Sequence, residues 1–188
     1  MRGLTVATHA HGTSGIKTAI KAGVDSVEHV SLLDEEGIEL ALEHGTYFSM
    51  DIYVTEYILS EGEKAGILEE SLAKERIVGK RQRENFEKAV KAGVKMVFGS
   101  DAGVYPHGDN GKQFARMVRF GMTPMQAIQA ATIHPATLLK QQESLGSISA
   151  GKKADIVGVK GNPLEDISLL ENVGLVVKDG HIVKSVAM

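Results

Sequence analysis

The stretch "VATHAHG" (6–12) sets two histidines, His9 and His11, one residue apart. A third, His29, closes "SVEH" (26–29), and an aspartate, Asp101, follows "VFGS" (97–100). Imidazole nitrogens together with a carboxylate form a donor set that suits zinc or another divalent cation. A cation held this way lowers the pKa of a bound water and polarises a carbonyl, which is hydrolytic chemistry. His9 and His11 lie two apart, so in extended chain both can face one side. The sequence has no cysteine, so ligands must come from its seven histidines and from carboxylates. One histidine at a strand end is more often structural than a ligand. Three groups at matching positions shift the balance toward a site.

Those positions depend on the elements around them. "LTVATH" (4–9), "VDSVEH" (24–29), "TYFSM" (46–50) and "VKMVFGS" (94–100) read as apolar, β-rich strands. Helical patterns lie between them, at 14–23, at 34–45 with acids first and Gly45 last, and at 71–93 with Gly79 as a candidate interruption. Further helices are expected at 112–121 and within 123–141, where Thr123 caps, Pro124 takes the first helical position and Pro135 starts a new turn. The junction "AIKAGVDSV" (19–27) recurs as "AVKAGVKMV" (89–97). Strand and helix in alternation indicate βα units and a parallel sheet. In such a sheet, reactive side chains gather at the C-terminal ends of the strands, and His9, His29 and Asp101 each stand there.

After about residue 144 the pattern changes. "LGSISAGKKADIVGVKG" and "VGLVVKDGHIVKSV" read as strands with tight turns, and Asp179-Gly180 is a hairpin signal. The sequence therefore divides into an α/β unit at 1–144 and a β module at 145–188.

With a net charge of -3, the chain gives no electrostatic reason to expect nucleic acid or an anionic membrane as partner. No apolar run reaches the length of a membrane span. The N-terminal stretch is too polar for a signal peptide, and the lack of cysteine fits a cytoplasmic location.

"VATHAHG", "AGVDSVEH", "VFGSDAGVYPHGDN", "MTPMQAIQAATIHPATLL" and "LGSISAGKKADIV", in this order, resemble the amidohydrolase superfamily, in its imidazolonepropionase-like and prolidase-like dipeptidase branch. The resemblance implies a TIM-like (β/α)8 barrel that carries one or two divalent metals, with a small β-sandwich built from both chain ends. It matches His9 to the metal histidine of the fifth strand and His29 to that of the sixth. Asp101 matches the eighth-strand aspartate, which binds metal and handles the proton of the attacking water. His11, His107 and Tyr53 are the candidate substrate-pocket residues. Zinc or another divalent metal is the implied cofactor, and a small peptide or amide the implied substrate.

The family's first strand ends in a further His-x-His pair, and its fourth often ends in a lysine carboxylated to bridge two metals. If Asp101 ends strand eight, "LTVATH" is strand five, because each βα unit needs about 30 residues. The expected fold is thus the C-terminal half of the barrel, strands five to eight, followed by part of the β-sandwich. Such a half has two unpaired edges and is expected to bare an apolar inner face, so a homo-oligomer is the symmetric solution. Left open, several hundred Å² of that face would cost on the order of 10 kcal/mol.

Deaminases of the superfamily commonly carry a glutamate three residues after the fifth-strand histidine, and here that position is Gly12. Amide or dipeptide hydrolysis is therefore the expected reaction of the parent enzyme. The alternatives are a piece that folds without turnover and an imidazolonepropionase-type cyclic amide hydrolase. Tyr53 and Tyr57 can equally pack a loop helix, and the charge run "KRQRE" (80–84) reads as a solvated helix face. His44 suits the end of a helix, His134 a packing role and His181 an exposed hairpin.

Overall fold

The computed structural model describes residues 3–186, so residues 1–2 of the first expected unit and 187–188 of the second lie outside it. Its first layer is a four-stranded, all-parallel sheet of β1 (Ala7–Ala10), β2 (Ser26–His29), β3 (Tyr47–Ser49) and β4 (Met96–Val97). The strands stand side by side in chain order. Helices α1 (Thr13–Lys21) and α2 (Glu35–His44) connect the first three strands. Helices α3 (Val54–Glu61) and α4 (Glu69–Ala92) lie between β3 and β4. Helices α5 (Lys112–Arg119), α6 (Pro124–Ala131) and α7 (Ile133–Leu138) follow.

Local chemistry accounts for the boundaries. Asp34 caps α2 by accepting from the Gly37 amide at 2.8 Å, and Gly45 ends the helix in left-handed backbone at φ 68°. Thr123 and Gln126 form a reciprocal capping box on α6, with Pro124 behind the cap. The helical span 123–141 breaks at Thr132, three residues before Pro135, whose ring and missing N–H cannot continue a helix.

Gly79 does not interrupt α4, which runs unbroken for 24 residues. The glycine is needed because a Cβ there would collide with the Thr55 side chain of α3. The fourth strand is shorter than the expected 94–100, since Gly99 leaves the ladder where the chain crosses closely over Ser49.

Alternation along the strands sorts the two faces. Val27, Phe48 and Met96 face the helices and form a core with Ile16, Ile20, Ala41, Phe86 and Ala89. The opposite face carries a row in register across all four strands: His9, Glu28, Ser49 and Val97. Ala7, Ser26 and Tyr47 form the row beneath it. The expected apolar inner face is therefore corrected. It is mostly small and polar, because a face lined for chemistry carries groups that hydrogen bond, such as Ser26 Oγ donating to Glu28 at 2.8 Å. Among the described residues, β1 and β4 each have one edge without a strand partner.

The second sheet is antiparallel, with β5 (Ile156–Gly158), β6 (Leu175–Lys178) and β7 (His181–Ser185) in that order. Asp179 (φ 50°) and Gly180 (φ 81°) make the hairpin turn. Arg116 of α5 joins the layers, pairing with Glu56 of α3 at 2.5 Å and with Glu171 at 3.5 Å.

Candidate metal centre

Four loops at the C-terminal edge of the parallel sheet deliver the site. His9 points from the inner face of β1, and His11, two residues on, keeps the same side. His29 stands at the end of β2, where strict alternation would send it toward the helices with Val27. Left-handed backbone at His29 (φ 69°) and Val30 (φ 52°) turns it back. Two successive residues without glycine in that region store strain of order 1–3 kcal/mol each. The result is a packed trio of imidazoles, with ring centroids 4.7 Å apart for His9–His11, 4.4 Å for His9–His29 and 4.5 Å for His11–His29.

Ligand atoms of His9, His11 and His29 lie within 4.8 Å of one another, and so do those of His29, Asp51 and Asp101. Two triads thus share His29. A tetrahedral zinc at about 2.1 Å from each nitrogen spaces its ligands about 3.4 Å apart. The 4.8 Å limit exceeds that spacing by up to about 1.4 Å, so a bound cation would draw the wider pairs together. Three imidazoles in mutual contact suit a cation between them better than three protons on them. The donor set therefore fits one or two divalent cations.

Electrostatics follow from the neighbours. Asp51 is 4% exposed and accepts from His29 Nδ1 at 3.0 Å. An ionised carboxylate can only accept, so Nδ1 carries the proton and Nε2 keeps its lone pair for a ligand. The hydrogen bond to Asp51 also raises the His29 pKa against the opposing effect of burial. Burial lowers the His11 pKa, and the neighbouring His29 and His9 add to this, which favours the neutral ring. His11 Nδ1 lies 2.8 Å from Ser31 Oγ. Desolvation raises the Asp101 carboxyl, and the nearby Asp51 charge adds to it. Asp101 also adopts left-handed backbone, at φ 50°.

The cleft of about 250 Å³ over the site is lined by these groups and by Val54, Ile58, Glu75, Val78 and Gln82. Of the residues singled out in the sequence, the structure brings His9, His11, His29 and Asp101 together there. It leaves two outside the lining. Tyr53 is 5% exposed and packs on Tyr105 at 4.9 Å, with Arg116 over its ring at 5.0 Å. His107 is exposed on the loop after Asp101. His134 Nδ1 donates to the Met96 carbonyl at 2.9 Å and so ties α7 to β4.

The polar groups Ser31, Asp51, Glu75 and Gln82 also line the site and are not among the candidates singled out from the sequence spacing. Asp51 follows the third strand directly, so the strand-end rule that selects His29 also selects it. Ser31 and Gln82 carry no comparable signal. Gln82 sits inside the charge run at 80–84; Lys80, Arg81 and Glu84 are solvated as expected, but Arg83 is partly buried and Gln82 is only 3% exposed.

Known proteins are similar to this chain over almost its whole length. A crystal structure of an Xaa-Pro dipeptidase with methionine bound in its active site matches 97% of the chain with a TM-score of 0.90 and 48% identity. A prolidase complexed with N-methylphosphonate-L-proline matches 97% with a TM-score of 0.89 and 32% identity. Ochratoxinase of Aspergillus niger is 38% identical over 169 residues, 88% of the chain. The chain spans less than half the length of these relatives: 45% of each of the two crystallised chains and 34% of ochratoxinase. The amidohydrolase family model matches residues 1–183. A parallel βα sheet with its histidines and aspartates at the strand ends, matched over that span, makes this chain a member of the amidohydrolase family.

Proposed function

We propose that the chain supplies strands five to eight of a (β/α)8 amidohydrolase barrel, in residues 1–144, and part of its β-sandwich, in residues 145–188. In this reading the whole enzyme hydrolyses an amide or peptide bond of a small substrate, with a dipeptide as the preferred class. The observation that carries it is the pair of donor triads sharing His29. The relatives named above support the substrate class.

His9, His11, His29, Asp51 and Asp101 are the residues that would hold zinc or another divalent cation. When bound, such a cation supplies Lewis acidity and an acidified water. Asp51 keeps the His29 Nδ1 proton in place, so that Nε2 faces the cleft. Asp101, its carboxyl raised by desolvation, takes a proton from water at the cleft and returns it to the departing amine. Val54, Ile58 and Val78 give the cleft an apolar wall that excludes water from a substrate side chain. Tyr53 and His107 would reach substrate only through movement of the loops that carry them.

The test is elemental analysis of the purified chain and of His9→Ala/His29→Ala. Stoichiometric zinc in the first and none in the second supports the site. Zinc retained by the double variant refutes it.

A further inference from the structure

Helix α4 carries a polar, buried stripe that reaches the site from behind. Gln82 and Asn85, three residues apart and so on one face, are 3% and 8% exposed. Gln82 Nε2 donates to the His29 carbonyl at 3.0 Å and to Asp51 Oδ1 at 3.1 Å. Asn85 Nδ2 donates to the Ser31 carbonyl at 3.0 Å. Both amides therefore grip the segment 29–31 from a helix that follows it by more than 50 residues. That segment is the strained one, with left-handed backbone at His29 and Val30.

Each amide leads to one imidazole. The oxygen of Asp51 that accepts from Gln82 is the same Oδ1 that accepts from His29 Nδ1. Gln82 thus fixes both the backbone of His29 and the carboxylate that sets its tautomer. Asn85 fixes Ser31, whose hydroxyl meets His11 Nδ1. Burying two primary amides on the inner face of α4, beside Phe86 and Ala89, is costly unless their donors are used. Here the donors are used on the strained loop and on Asp51, where apolar side chains of the same size would leave those acceptors unpaired.

We infer that Gln82 and Asn85 are positioning residues for the metal centre. They hold the strained 29–31 loop so that His29 Nε2 and the His11 ring converge with His9. This rests on the metal-centre reading above, and it extends that centre to a helix whose charge run at 80–84 reads in the sequence as a solvated face.

The experiment measures zinc affinity by competition with a chromogenic chelator, for the wild-type chain, Gln82→Met, Asn85→Leu and the exposed control Arg81→Ala. The visible spectrum of the cobalt-loaded proteins and the circular dichroism of the metal-free proteins are recorded alongside. Gln82→Met and Asn85→Leu should each weaken zinc about ten- to hundredfold. They should also shift the cobalt bands, which a loss of fold stability alone does not do, while the metal-free dichroism and Arg81→Ala stay unchanged. Should Gln82→Met fail to fold, Gln82→Glu keeps every side-chain heavy-atom position and sets a carboxylate against Asp51; it should show the same loss. Wild-type affinity and an unshifted cobalt spectrum in the folded variants overturn the inference and leave the metal centre standing. A wild-type chain that binds no zinc overturns both.

Discussion

Asp51 Oδ1 and His29 Nδ1 lie 3.0 Å apart, with Asp51 buried and His29 half-buried. The pair determines which imidazole nitrogen is free, and it makes a proton and a cation compete for that nitrogen. The His29 pKa is raised, so the protonated ring persists above the ordinary imidazole value. Zinc affinity should therefore climb with pH through a window that begins above about 6.5. Asp51→Asn removes the carboxylate and should weaken zinc about ten- to hundredfold at pH 8. It should also move the affinity rise to lower pH, because the proton loses its partner. Chelator competition at several pH values checks both.

Gly79→Ala reverses a general rule. In an exposed helix interior the change should gain about 1 kcal/mol. In α4 the new methyl group would meet Thr55 and the Glu75 carboxylate, which are hydrogen-bonded to each other. The expected result is a loss of about 1–3 kcal/mol, seen as a lower urea midpoint with unchanged slope.

Glu56 binds Arg116 through two contacts, at 3.1 and 2.5 Å. The hydrogen bond from Arg116 holds the Glu56 pKa below its ordinary value against the effect of burial. A depressed carboxylate stabilises the fold above its unfolded pKa of about 4.5 and loses that contribution as pH falls through the lower folded value. Glu56→Gln should therefore cost about 0.5–1 kcal/mol at pH 7. The difference from wild type should shrink toward zero near pH 3, in urea titrations at the two pH values.

Glu75 shows the opposite sign. It lines the cleft, and desolvation raises its pKa more than the Thr55 hydrogen bond lowers it. A raised carboxylate weakens the fold once pH exceeds the unfolded value of about 4.5, and the cost is complete above the folded value. Glu75→Gln keeps the size and removes the charge. Its thermal midpoint should exceed that of wild type at pH 8 and lose that advantage at pH 4.

Assembly follows from the free edges of β1 and β4. Because the inner face is small and polar, the drive to associate comes from unpaired strand edges more than from exposed apolar area. Light scattering should find an oligomer, most simply a two-fold dimer, and a compact monomer would refute this. Dipeptide hydrolysis by the 188-residue chain alone should be weak even with zinc added. Turnover at an ordinary enzymatic rate, lost on Asp101→Asn, would show that the ligands of this chain suffice.

The sequence by itself determined the parts that depend on neighbours along the chain. Apolar runs followed by helical periodicity define the βα units, and Asp34, Gly45, Thr123 and Pro124 set helix ends through contacts a few residues away. The strand-end rule found His9, His29 and Asp101, and applied once more it finds Asp51. What it could not decide depends on backbone conformation and on distance in space. His29 reaches the trio only because two residues take left-handed backbone, against the alternation its strand implies. Tyr53 is drawn from the cleft by Tyr105 and Arg116, more than 50 residues away. Gln82 stands in a run whose Lys80, Arg81 and Glu84 are solvated, as their sequence indicates, and whose Arg83 is partly buried. Its own burial is decided by acceptors at His29 and Asp51, which only the packing of α4 against the sheet brings within 3.1 Å.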